Sequence, residues 1–159
     1  MKIPKRIARV KFRSAGSTAT SFAGLRFVFE MAEKLGVMAR LRRITVKKRR
    51  RGIPIEDFVM SLASSFLVGG DSLSDLSMLR EESVTRDLCF GLEVPAPTTA
   101  GERLRSFSLG HVRQLDRAHR ETCREILERT GGSEPLTLDV DSSIIEVYGY
   151  QKQGARFGY

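Results

Sequence analysis

Apolar positions recur at steps of three and four along most of this chain and give way to alternation only near residue 136. The first series, Phe22, Leu25, Phe29, Ala32 and Leu35, predicts an amphipathic helix over 22–35 that stops at Gly36. A short helix from Val37 to Arg43 is expected next. Pro54 stands where a first helical turn tolerates proline, and Glu56 and Asp57 suit the positive end of the helix dipole. That helix should run to Val68 and stop at Gly69-Gly70. Asp71 or Ser72 can cap the following helix, whose inner face carries Leu73, Leu76 and Leu79. One or two further turns are expected over 82–88, ending near Gly91.

Pro95-Ala96-Pro97 then breaks the pattern. Thr99-Ala100-Gly101-Glu102 has the spacing of a capping box and predicts a helix through Arg103, Leu104, Arg105 and Phe107. The longest series covers 109–130, with Val112, Leu115, His119, Cys123, Ile126 and Leu127 on one face and charges on the other. Gly131-Gly132 ends it. Beyond, Leu136-Thr137-Leu138-Asp139-Val140-Asp141 alternates apolar and polar, the pattern of a strand with one buried face. A turn at Ser142-Ser143 and a second strand over 144–148 are expected. The fold class is therefore mainly α: about six helices, then the first one or two strands of an incomplete sheet. Two strands alone do not make a stable sheet.

Composition narrows the class without naming it. A content of 41% apolar residues with no Trp, and 29% charged, suits a modest globular core. The longest apolar stretch, 58–68, includes three serines and is too short to span a bilayer. The basic start (Lys2, Lys5, Arg6, Arg9, Lys11, Arg13) has no apolar segment behind it, so no secretory signal and a cytoplasmic location are expected. Cys89 and Cys123 lie far apart and read as buried, reduced thiols, and His111 and His119 as helix-surface residues that hold no metal.

Charge does more. Residues 1–51 hold 16 of the 27 Lys and Arg but only two of the 19 acids, for a net of +14, whereas the rest of the chain carries −6. Such a split points to a polyanion met by the first third. Within it, Arg40, Arg42, Arg43 and the tract Lys47-Lys48-Arg49-Arg50-Arg51 are the candidate phosphate contacts. The competing reading, a solvated charge run, leaves that net charge without a purpose. Arg103 and Arg105 make the helix after Pro97 a candidate for entering a major groove. An RNA-binding protein would also explain a basic start, but a single aromatic, Phe12, interleaves with its charges, too few for a single-strand binding face.

On the predicted strand, Thr137, Asp139 and Asp141 share a face. Two carboxylates at that spacing repel unless a cation lies between them or both point into water. One reading is a divalent metal site of hard oxygen ligands, and the other an edge strand with solvated acids.

The segment from Leu136 to Ala155, with Asp139-Val140-Asp141-Ser142-Ser143 followed by Val147-Tyr148-Gly149 and Lys152-Gln153-Gly154-Ala155, resembles the first catalytic motif of bacterial DDE transposases of the group 1 family. Upstream, Gly69-Gly70-Asp71-Ser72-Leu73-Ser74-Asp75-Leu76 resembles that family's G-G-D-x-L-x-D-L. Val94-Pro95-Ala96-Pro97-Thr98-Thr99 with Arg103-Leu104-Arg105-Ser106-Phe107 resembles its V-P-S-P-(S/T)-T-x-x-R-x-L-R-x-F. Gly24-Leu25 and Lys34-Leu35-Gly36-Val37 fit as well. Ala96, where Ser is common, and Gly101-Glu102 depart from the pattern.

The resemblance covers nearly the whole chain but only about the first third of such a transposase. It implies a basic flexible arm over 1–20, a helical DNA-binding domain over 21–131, and the start of an RNase H-like catalytic domain over 135–159. It implies an enzyme that, at full length, cleaves insertion-sequence ends and transfers strands with two Mg²⁺ held by three carboxylates. The first of these corresponds to Asp141, the expected metal ligand, with Asp139 as the alternative; the other two belong further along the family's sequence. The partners implied are double-stranded DNA at terminal inverted repeats and a second copy on that DNA, on the bacterial nucleoid. This chain should then bind DNA without completing catalysis. A decayed remnant acting only as a DNA-binding module is the other reading.

Overall fold

The computed structural model of the chain describes residues 20–46, 52–131, 137 and 139–141. Among these are seven α-helices: α1 (Leu25–Lys34), α2 (Val37–Leu41), α3 (Ile55–Leu67), α4 (Leu76–Glu81), α5 (Ser83–Leu88), α6 (Pro97–Arg105) and α7 (Leu109–Thr130). A 3₁₀ turn, Leu73–Asp75, leads into α4. The described part of the chain is thus mainly helical. Thr137 and residues 139–141 are exposed and carry no regular secondary structure. Leu136 and Leu138 of the expected first strand and all of the second lie outside the described residues, as do residues 1–19 of the arm.

The core gathers where the periodic faces meet. Leu25, Phe29 and Ala32 of α1 pack with Leu41, Ile44, Phe58, Met60, Leu76, Leu79, Cys89 and Leu92. α1 lies on α2 and α5, α2 on α3 and α7, α3 on α4, and the 3₁₀ turn on α6. Arg26 of α1 places its guanidinium 4.1 Å over the Phe90 ring.

The joints follow from local chemistry. Gly36 adopts φ +70° between α1 and α2, a left-handed conformation that costs other residues about 1 kcal/mol or more. Gly69, at φ +93°, ends α3 in the same way. Its neighbour Gly70 is required for space: a Cβ there would lie 3.0 Å from the Ser65 carbonyl oxygen and 2.6 Å from Ser65 Oγ. Asp75 then accepts hydrogen bonds from the Asp71 and Ser72 amides at 3.0 and 2.9 Å, closing the turn.

α6 begins two residues before the expected Thr99 box. Pro97 is its first residue and Ala96 its extended cap, since proline's fixed φ already suits a first helical position. Buried Pro95 and Ala100 seat the helix, and Gly101 faces Leu73 of the 3₁₀ turn, with 3.5 Å between a built Cβ and Leu73 Cδ1. The two segments that carry the family resemblance upstream thus pack on each other.

α7 has the expected bounds. Its apolar stripe stays largely in solvent, with Val112 51%, Ile126 39% and Leu127 56% exposed. Ala118 is its single buried residue. The side that meets α2 is polar: Gln114 Oε1 accepts from the Thr45 amide at 2.8 Å, and Glu121 and Glu125 face Arg40. Ser108 and His111 close its first turn, the Ser108 amide donating to His111 Nδ1 at 2.8 Å. His111 is therefore half-buried rather than a free surface residue, whereas His119 is exposed. Cys89 is buried as expected, but Cys123 is only half-buried.

Candidate nucleic-acid interface

Of the eight basic residues expected between Arg40 and Arg51, the tract Lys47-Lys48-Arg49-Arg50-Arg51 lies outside the described residues. The other three divide by role. Arg40 is turned inward: it donates to the Leu35 carbonyl and sits 3.6 and 3.5 Å from carboxylate oxygens of Glu121 and Glu125. Its charge faces α7, and only 17% of its side chain is exposed. Arg42 keeps a 61% exposed side chain although its Nε lies 2.9 Å from Glu56. Arg43 is 76% exposed and only loosely paired, 3.9 Å from Glu121.

Arg103 is also turned inward. Its guanidinium donates to the Ile53 carbonyl and lies 4.8 Å over the Phe58 ring. Burial pulls its pKa below the ordinary guanidinium value, against the opposing charge of Glu56. A side chain so engaged fastens α6 to the start of α3. Arg105, two residues on, is exposed.

A feature outside the sequence-derived set lies on α7. Arg113, Arg117, Arg120 and Arg124 follow one another at steps of four, three and four, and all are exposed. On a helix that spacing aligns them along one flank over about 16 Å. Arg120 pairs with Asp116 in the same flank. Among the described residues no carboxylate lies within ion-pair distance of Arg113, Arg117 or Arg124. The acids on the adjoining side are occupied: Glu121 faces Arg40 and Arg43, and Glu125 lies 2.7 Å from Arg129. The hydrogen bond and charge of Arg129 hold Glu125 below the usual carboxylate range. The signal was legible in the sequence as the arginine spacing inside the predicted 109–130 helix.

Arg43, Gln114 and Arg117 border one shallow cleft between α2 and α7. The Thr45–Gln114 hydrogen bond fixes the chain against α7 just before the sequence enters Lys47. Exposed basic groups from α7 and from the end of α2 are therefore neighbours.

Asp139 and Asp141 are both exposed. Among the described residues, no three His, Cys, Asp or Glu come together as a group able to hold a metal ion. The residues described do not fit a Mg²⁺ pair, which needs several convergent oxygen ligands. The Gly69-Gly70-Asp71-Ser72 segment, for its part, serves the turn into α4 through its own backbone bonds.

No helix among the described residues is long and apolar enough to cross a membrane. No family model matches the chain, and neither the curated proteins nor the solved structures contain a match.

Proposed function

We propose that this chain is the DNA-binding, N-terminal part of a DDE-type insertion-sequence transposase, acting on the bacterial nucleoid and pairing with a second copy when it holds two element ends. The observation that carries DNA binding is the net charge of +14 in residues 1–51, with Arg42 and Arg43 exposed where α2 runs towards the Lys47–Arg51 tract. Neutralising phosphates with such groups releases counterions and gives affinity that falls steeply with salt. The transposase reading adds the ordered motifs between Gly69 and Ala155. It assigns this chain the binding of ends through Arg42, Arg43 and residues 47–51, with Asp141 as the first acid of the family's triad and Asp139 as its neighbour. No cleavage step is assigned to the residues described.

The test is fluorescence anisotropy of the full chain with a labelled duplex across a salt series. A log–log salt slope of about −4 or steeper, from about five phosphate contacts, is the expected result. Replacing Lys47–Arg51 by Ala should weaken binding to all sequences alike. A salt-independent interaction, or none, would overturn the proposal. With Mg²⁺ added, the chain should leave the duplex intact, and Asp141-dependent nicking would refute the assignment of binding alone.

A further inference from the structure

We infer that the flank of α7 carrying Arg113, Arg117, Arg120 and Arg124 is a docking surface for the phosphate backbone of duplex DNA, continued by Arg43. The inference rests on the DNA-binding reading and assigns the contact to a helix that the sequence motifs leave out. Three observations converge on it. The four guanidiniums form an exposed row, two of whose steps place like charges four residues apart, an arrangement that costs a free helix stability. The protein supplies that row with a single paired acid, Asp116, while Glu121 and Glu125 are engaged by other arginines. Arg43, 76% exposed, comes from a separate part of the chain to the same edge, held there by the Thr45–Gln114 hydrogen bond.

The geometry favours a regular, rigid polyanion. A row of about 16 Å corresponds to about five base-pair steps at 3.4 Å each. Guanidinium forks match phosphate oxygens in pairs, so a straight helix can follow one strand without reshaping. A lipid surface would also take up arginines, and the exposed Val112, Ile126 and Leu127 lie beside them. That apolar stripe, however, is interrupted at mid-length by Asp116 and His119, which is poorly suited to insertion between acyl chains. Duplex DNA is the partner the surface fits.

The full chain and its Arg113→Gln/Arg117→Gln/Arg124→Gln variant are compared by anisotropy on a labelled random-sequence duplex over a salt series. The variant should bind about ten- to a hundredfold more weakly at low salt, with a log–log slope shallower by about 2 to 3. A Lys34→Gln/Arg80→Gln/Arg86→Gln variant removes the same number of exposed charges from α1, α4 and α5 and should stay close to the parent. Equal losses in the two variants, or no loss in the first, overturn the ridge while leaving the DNA reading intact. Failure of the parent chain to bind any duplex removes both together. Tighter binding of the parent to phosphatidylglycerol vesicles than to DNA, abolished in the first variant, also overturns it. Far-UV circular dichroism should show parental helix content in both; Arg117→Gln alone, with a slope change of about 1, repeats the test with minimal perturbation.

Discussion

The guanidinium of Arg103 lies 4.8 Å over the ring of Phe58 and donates to the Ile53 carbonyl, so one side chain ties α6 to the entry of α3. Arg103→Ala removes a cation–π contact and a hydrogen bond together and should cost about 2 kcal/mol in a denaturant melt. Arg105→Ala, two residues away and exposed, should cost about 0.5 kcal/mol or less. Equal effects would contradict the inward role given to Arg103.

Gly70→Ala meets the Ser65 carbonyl at 3.0 Å, an atom of a helix that cannot step aside. A loss of about 1–3 kcal/mol is expected. Gly24→Ala is the matched control, because nothing lies within 4 Å of a Cβ built there and its φ of −60° suits any residue. Chemical denaturation of the two variants decides the matter.

The two thiols should separate in a native titration with a thiol reagent. Cys123 is half-buried and beside the exposed His119, with Sγ 3.5 Å from Nε2. Cys89 is buried, and desolvation pushes its pKa up to about 11, against the lowering effect of Arg26. Cys123 should react promptly and Cys89 only on unfolding. Because the folded value lies above the ordinary value of 9.0, the stability linked to Cys89 is present below about pH 9 and lost as pH rises towards about 11. Cys89→Ala should flatten that alkaline decline in Tm.

Acid should act through two depressed carboxylates. Hydrogen bonds from the Ser72 amide and hydroxyl lower Asp75, and Arg129 lowers Glu125. Their stabilisation is present above the ordinary carboxylate range near pH 4 and lost as pH falls through their lowered values. Asp57 works in the opposite sense: burial raises its pKa, so its ionisation weakens the fold as pH rises through the carboxylate range. Asp75→Asn and Glu125→Gln should each make the fall in Tm below about pH 4 shallower, whereas Asp57→Asn should remove a gain in Tm that the native chain shows as pH falls towards about 4.

How much of this was written in the residue pattern depends on which force sets each element. α1, α3 and α7 follow apolar period and cap chemistry, both local, and their bounds lie within three residues of expectation. The start of α6 was misplaced because Thr99 and Glu102 imitate a cap, while Pro97 and buried Pro95 fix the real one. Which side of α7 meets the rest of the fold is not a local matter. Its Leu, Val and Ile positions suggest a core, but α2 offers Arg40 rather than an apolar surface, and Gln114, Glu121 and Glu125 turn to meet it.

The same distinction governs the candidate site. Arginines at Arg40, Arg42, Arg43, Arg103 and Arg105 are equivalent letters, yet Arg40 and Arg103 are turned inward onto carbonyls, carboxylates and a ring, while the others keep most of their side chains exposed, Arg42 even while paired with Glu56. Which cation a fold consumes depends on partners far away in sequence. Charge balance over 1–51 reveals a polyanion-binding tendency but not which side chains are left to express it. The spacing of Arg113, Arg117, Arg120 and Arg124 was local information, overshadowed by the denser basic tract before it.

α7 is held by polar contacts, Gln114 to the Thr45 amide, Glu121 and Glu125 to Arg40, and Arg129 to the Lys34 carbonyl at 3.0 Å, with Ala118 its single buried residue. A rod held with so little buried apolar surface should detach as a unit before the hub of Phe29, Phe58 and Leu76 loosens. Its amides should exchange with deuterium through a separate low-energy opening, and a bound duplex should slow them far more than those of α1 or α3. Exchange of α7 only with global unfolding would show that the latch is stronger than its few contacts suggest.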